Sequence, residues 1–191
     1  MFSGADEERG VTKRTLVLGM GCILMRDDGV GPSALAAFES LYELPAGVEL
    51  LDIGTPGPEL AHQIGGYDAL IVFDALRVQS PPGTVRCLTR NEILAAPLLN
   101  PRLSPHDPGL REALLTAEFF GEAPGEVLLV GIVPKEIELG TALSPEVAAA
   151  LPRAAEAAAA ELVRLGIVPV PRHEAALAEV WWQQVPAAAA G

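Results

Sequence analysis

The chain has two cysteines in 191 residues, Cys22 and Cys87, and they form no CxxC pair. That excludes a disulfide framework and fits a reducing compartment. Positive charge is also scarce: 13 Lys and Arg stand against 25 Asp and Glu, a formal net charge of −12. Phosphate binding needs clustered bases, so nucleic acid is a poor partner. An acidic balance suits a basic or metal-carrying partner instead. No stretch reaches the roughly 18 consecutive apolar residues of a membrane span, and the alanine-rich run over 148–163 is broken by Pro152, Arg153, Glu156 and Glu161. Residues 1–10 are polar and acidic, unlike a signal peptide, so a cytoplasmic protein is expected. The sequence has no G-x-x-x-x-G-K-[ST], H-E-x-x-H or G-x-S-x-G, which removes three common catalytic frames.

Half of the residues are hydrophobic, enough for a folded body with one large core. Apolar runs over 14–20, 48–53, 69–73, 84–89 and 127–133 read as strands. Helical spacing covers 29–41, about 58–64, 108–120 and 144–165, the last opened by Ser144-Pro145 as N-cap and first-turn proline. The stretch 92–105, rich in Pro and Asn, reads as irregular. Strands interleaved with helices predict an α/β fold: a single three-layer domain with a five-stranded, largely parallel twisted sheet and helices on both faces. Residues 1–13 read as a flexible leader, 14–170 as the domain and 171–191 as a C-terminal tail. Trp181-Trp182 in that tail reads as a docked short helix with one ring available to a partner.

The chemistry-bearing residues cluster at strand ends. Gly19-Met20-Gly21 follows the first strand as a nucleotide loop would, but the third glycine position is Leu24. Asp27 and Asp28 would also repel a pyrophosphate there. Asp52, at the end of the second strand, is a single matching feature and does not rescue that reading. Asp27 reads as a helix cap. A second acid beside it is not needed for capping, and two crowded carboxylates repel unless a cation or proton sits between them. Asp74 follows the buried run Leu70-Ile71-Val72-Phe73, at the crevice where α/β ligands gather. His106 lies between Pro105 and Asp107-Pro108, just before a helix. The positive end of the helix dipole favours the neutral imidazole that a metal needs. His62 and His173 read as solvated. Asp28, Asp74 and His106 together would suit Ni²⁺, Zn²⁺ or Mn²⁺ and leave coordination positions open.

These motifs resemble the endopeptidases that mature nickel–iron hydrogenases. Gly19, Gly21, Leu24, Asp27, Asp28 and Gly31 match that family's G-x-G-N-x-L-x-x-D-[DE]-x-x-G block. Asp52-Ile53-Gly54-Thr55-Pro56-Gly57 is similar to its acid-glycine turn. Asp74-Ala75-Leu76 matches D-A-[IL], Ser104-Pro105-His106 matches S-x-H, and Val130-Gly131-Ile132-Val133-Pro134 matches V-G-[IV]-x-P. The blocks stay in order across about 14–166. The resemblance implies a phosphorylase/hydrolase-like fold and a probe of nickel carried by the substrate through Asp28, Asp74 and His106, which then serve both as metal contacts and as the catalytic set. It implies one partner, the precursor of a [NiFe] hydrogenase large subunit, whose C-terminal extension is removed by a monomeric protease. Other divalent cations would be able to enter the same site in the free protein. The family's usual Asn is Cys22 here, the second acid is Asp28 where some members have Glu, and Ile53 stands where glycine is common.

Two rivals remain at this stage. A cysteine hydrolase would use Cys22 with His106 as base, but Cys22 is flanked by Ile23 and Leu24 and reads as buried. A nickel-checking chaperone would grip the same precursor without cutting it.

Overall fold

The computed structural model describes residues 13–95 and 109–173. In chain order the elements are β1 (Thr15–Met20), a 3₁₀ turn (Arg26–Gly29), α1 (Val30–Leu41), β2 (Tyr42–Glu43), β3 (Val48–Gly54), α2 (Leu60–Gln63) and β4 (Ala69–Ala75). Then come β5 (Val85–Thr89), α3 (Arg90–Ala95), α4 (Gly109–Phe119), β6 (Glu126–Ile132), α5 (Pro145–Ala148), α6 (Leu151–Arg164) and β7 (Val170–Pro171). The continuous apolar runs of β1 and β4 are buried at every position, as befits strands covered on both faces. They are two of the three inner strands of a sheet ordered β3-β1-β4-β6-β5. Neighbours are parallel except β5, which runs antiparallel to β6 at the edge.

Side-chain alternation along the strands sends two sets of residues to opposite faces. Val17, Ile71, Phe73 and Ala75 meet Val30, Ala34 and Phe38 of α1 and Ala154, Ala155, Ala158 and Leu162 of α6. The small alanines let α6 lie close while its charged face points to water. Leu16, Leu18, Met20, Leu70 and Val72 meet Leu60 of α2 and Leu110, Ala113 and Leu114 of α4. The result is the expected three-layer α/β domain. No helix among the described residues is long and apolar enough to cross a membrane.

Two local readings are corrected, and one small element is added. The helix expected over 144–165 is two helices, with Ala149 and Ala150 between them. Pro152 has no N–H and its ring crowds the preceding turn, so it stands in the first turn of a new helix rather than inside one. The stretch from 92 was expected to be irregular, yet α3 runs through Ala95. The pattern Thr89-Arg90-Asn91-Glu92 supplies the Glu half of a capping box: Thr89 N–H and Oγ1 both donate to Glu92 Oε2, at 2.8 and 2.7 Å. Finally, β2 and β7 form a short antiparallel ribbon. Arg172 extends it, its N–H donating to the Leu41 carbonyl at 2.8 Å and its guanidinium pairing with Glu43 at 3.1 Å.

The direction of α4 matters for the site. Its C-terminus leads to Glu122 and Gly125, which bond to Gly66 and Asp68 just before β4. An 11-residue helix spans about 16 Å. Its first residue, Gly109, therefore reaches toward the carboxyl edge of the sheet, where it lines a cleft with Pro56, Gly57 and Pro58 beyond β3.

Candidate active site

At the carboxyl edge of β1 the chain turns back sharply, and glycine makes the turn possible. Gly21 has φ +137°, and a Cβ there would lie 1.9 Å from the Asp28 carbonyl oxygen. That contact seats the 3₁₀ turn directly over the strand end. Asp28 is buried within it. Its Oδ2 accepts the Cys22 N–H at 3.0 Å, and its own N–H donates to the Met25 carbonyl at 3.1 Å.

Asp74 is 2% exposed and lies inside β4, which continues one residue past it. It sits opposite Gly131 of β6, and its Oδ1 accepts the Ala75 N–H at 2.7 Å. Strand alternation puts its side chain on the face of Leu70 and Val72, the face covered by α2 and α4. The 3₁₀ turn packs against β4, so Asp28 and Asp74 are borne by touching elements at one edge. Two buried carboxylates borne at one edge of a sheet would repel the pyrophosphate of a nucleotide there.

His106 lies outside the described residues, as do Trp181 and Trp182. Among the described residues no group of three His, Cys, Asp or Glu side chains is disposed to hold a metal ion. Two carboxylates are one ligand short of the usual three of an open metal site. His62 and His173 are exposed, as expected. Asp52 is exposed too, and its Oδ1 accepts the Gly54 N–H at 3.0 Å. That bond closes an Asx turn and gives Asp52 a local purpose without a ribose.

Asp27 proves structural, but not as the expected helix cap. The N-cap of α1 is Gly29, with no side-chain capping bond. The fully buried Asp27 carboxylate instead reaches across the fold. Oδ1 accepts the Ser144 N–H at 2.7 Å. Oδ2 accepts the Lys135 and Glu136 N–H groups, each at 2.9 Å, and the Ser144 hydroxyl at 2.9 Å. Burial pushes the Asp27 carboxyl up, but these bonds, those from Ser144 foremost, outweigh it and hold the group below the ordinary aspartate value. Ser144, read from sequence as a helix cap, spends its hydroxyl on Asp27. No local pattern links position 27 to 135 or 144, so the sequence carries no signal for this contact. Cys22 is also corrected: it is partly exposed rather than buried.

A largely parallel α/β sheet gathers ligands at the carboxyl edge of its strands, where these buried carboxylates stand. The family model for hydrogenase maturation protease matches residues 33–161, a span that begins after Asp28 and includes Asp74. Over 161 residues the chain is 39% identical to the hydrogenase 2 maturation protease of Escherichia coli, covering 84% of this chain and 97% of that protein. It is 37% identical over 164 residues to the hydrogenase expression/formation protein HupD of Rhizobium leguminosarum bv. viciae, covering 85% of this chain and 81% of that one. Among solved structures, the hydrogenase maturating endopeptidase HybD from E. coli superposes with a TM-score of 0.76 at 39% identity, over 83% of this chain and 98% of that chain. The [NiFe] hydrogenase maturation protease HybD from Thermococcus kodakarensis gives 0.61 at 34% identity, over 76% and 96%. The chain belongs to the hydrogenase maturation protease family.

Proposed function

We propose that this protease removes the C-terminal extension of a nickel-loaded [NiFe] hydrogenase large-subunit precursor, and reads the nickel through Asp28, Asp74 and His106. The observation that carries the reading is the division of the acidic pair. Asp27 is committed to four hydrogen bonds that hold the fold; Asp28, its buried neighbour on the same turn, accepts the Cys22 N–H, and that turn packs against the strand of Asp74. Nickel here is part of the substrate, not a resident cofactor. Bound at its open positions by carboxylate and imidazole, it would polarise the scissile carbonyl or acidify a water. Asp28 or Asp74 would accept the water proton as the hydroxyl adds to the carbonyl carbon. Collapse of the adduct breaks the C–N bond, and the departing amine takes a proton. The protein acts in the cytoplasm as a monomer in this reading.

The test is mass spectrometry of precursor incubated with the protease, loaded and unloaded with nickel. Shortening of the loaded precursor alone is the expected result. Complete cleavage of nickel-free precursor would overturn nickel reading. Stable binding with no change in mass would point to the non-cleaving chaperone.

A further inference from the structure

The segment 134–144 follows β6 and crosses the carboxyl edge beside the turn that carries Asp28. It is fastened to that turn at three levels. The backbone is laced: Arg26 N–H donates to the Gly140 carbonyl at 2.7 Å, Gly140 N–H to the Leu24 carbonyl at 3.0 Å and Asp27 N–H to the Glu136 carbonyl at 3.2 Å. At the surface the Arg26 guanidinium pairs with Glu136 and with Glu138, the latter at 3.3 Å. Between them, out of water, the Asp27 carboxylate takes its four donors from Lys135, Glu136 and Ser144. Arg26 holds φ +45°, the one non-glycine among the described residues with positive φ. A strained backbone persists only where its surroundings over-determine it.

We propose that Asp27 is a positioning residue: its buried bonds to Lys135, Glu136 and Ser144 lock the Asp28 turn to the 134–144 segment, and so fix where Asp28 stands. Two loops that would move separately become one rigid rim. All four acceptor contacts use the carboxylate as an acceptor only, so an amide cannot replace it. Asparagine at 27 would turn an N–H toward at least one of the donors. The neighbouring Asp28 would keep its chemistry but lose its placement, and misplacement by about 1 Å costs about 10²-fold in rate. The catalytic consequence rests on the reading of Asp28 as a site residue. The mechanical lock does not.

The experiment uses the full chain as wild type, Asp27→Asn, Ser144→Ala, Asp28→Asn and, as a distant control near the opposite edge, Glu49→Gln. Two quantities are measured: kcat and KM on nickel-loaded precursor, and amide hydrogen exchange by mass spectrometry without substrate. In Asp27→Asn, kcat falls about 10²-fold with little change in KM. Ser144→Ala, which removes one bond, lowers kcat about two- to tenfold. Exchange rises together over 22–28 and 134–144 while β1 and β4 stay protected, and Glu49→Gln keeps the wild-type kcat. If Asp27→Asn does not fold, Ser144→Ala decides on the same readouts. Faster exchange confined to 134–144 would overturn the lock. Unchanged kcat in Asp27→Asn and Ser144→Ala beside an inactive Asp28→Asn would overturn the positioning role. Full activity in Asp28→Asn would instead overturn the site reading, with exchange still deciding the lock.

Discussion

Gly31 and Phe73 stand so close that a Cβ at position 31 would lie 2.5 Å from the Phe73 carbonyl oxygen, and 2.0 Å from that of Met20. The start of α1 is thereby pressed against the adjacent strands β1 and β4, one residue before Asp74. Both obstacles are backbone atoms, so neither can swing away. Gly31→Ala is expected to destabilise the fold by about 3 kcal/mol. It is also expected to lower cleavage beyond what the loss of folded protein explains. Thermal unfolding alongside activity per folded molecule checks both.

Asp74→Asn keeps the size of the side chain and its acceptor for the Ala75 N–H, but removes the charge. Little change in melting temperature is expected, with cleavage of nickel-loaded precursor reduced by about 10²-fold or more. His106→Ala should show the same loss. A variant of either kind that cleaves at the wild-type rate would remove that residue from the site.

Cys22 is held through its backbone, whose N–H donates to Asp28 Oδ2 at 3.0 Å. Cys22→Ala preserves that bond. Cleavage within about twofold of wild type is expected, because no thiol is needed when a metal activates water. Loss of activity together with trapping of a thioester by mass spectrometry would revive the cysteine-hydrolase rival.

A pH effect is expected far from the site. The Tyr67 hydroxyl donates to Glu49 at 2.7 Å, and Arg14 pairs with the same carboxylate at 3.4 Å while lying over the Tyr67 ring. The Tyr67 bond, aided by Arg14, holds the Glu49 carboxyl below its ordinary range against slight burial. A lowered folded value means that the stabilisation is present above the unfolded glutamate value, about pH 4.3, and is lost as pH falls through the folded one. The same bond raises Tyr67, so its share is lost at the alkaline end as pH rises. The group is exposed and the effect small. The gap in melting temperature between wild type and Glu49→Gln should be flat near neutral pH and close in acid. A gap that widens in acid would contradict it.

Much of this was legible in the chain itself. Unbroken apolar runs such as Leu16-Val17-Leu18 and Leu70-Ile71-Val72-Phe73 announce strands covered on both sides, and the helical patterns between them require a parallel sheet. The first run leads through Gly19-Met20-Gly21 toward Asp27-Asp28 and the second runs into Asp74, which places the acids at one edge. The capping pattern at Thr89-Glu92 was equally available, though proline and asparagine further on masked it. Pro152 likewise marked the break between α5 and α6. The sequence and its family resemblance already divided the acidic pair, Asp27 to structure and Asp28 to the site. What they could not contain was the set of partners that holds Asp27. Tertiary folding brings Lys135, Glu136 and Ser144, more than a hundred residues away, to the Asp27 carboxylate, while that of Asp28 accepts the nearby Cys22 N–H. Composition and periodicity act within a few residues. The energy of a buried charge depends on whatever donors the whole fold delivers to it, and that was decided in three dimensions.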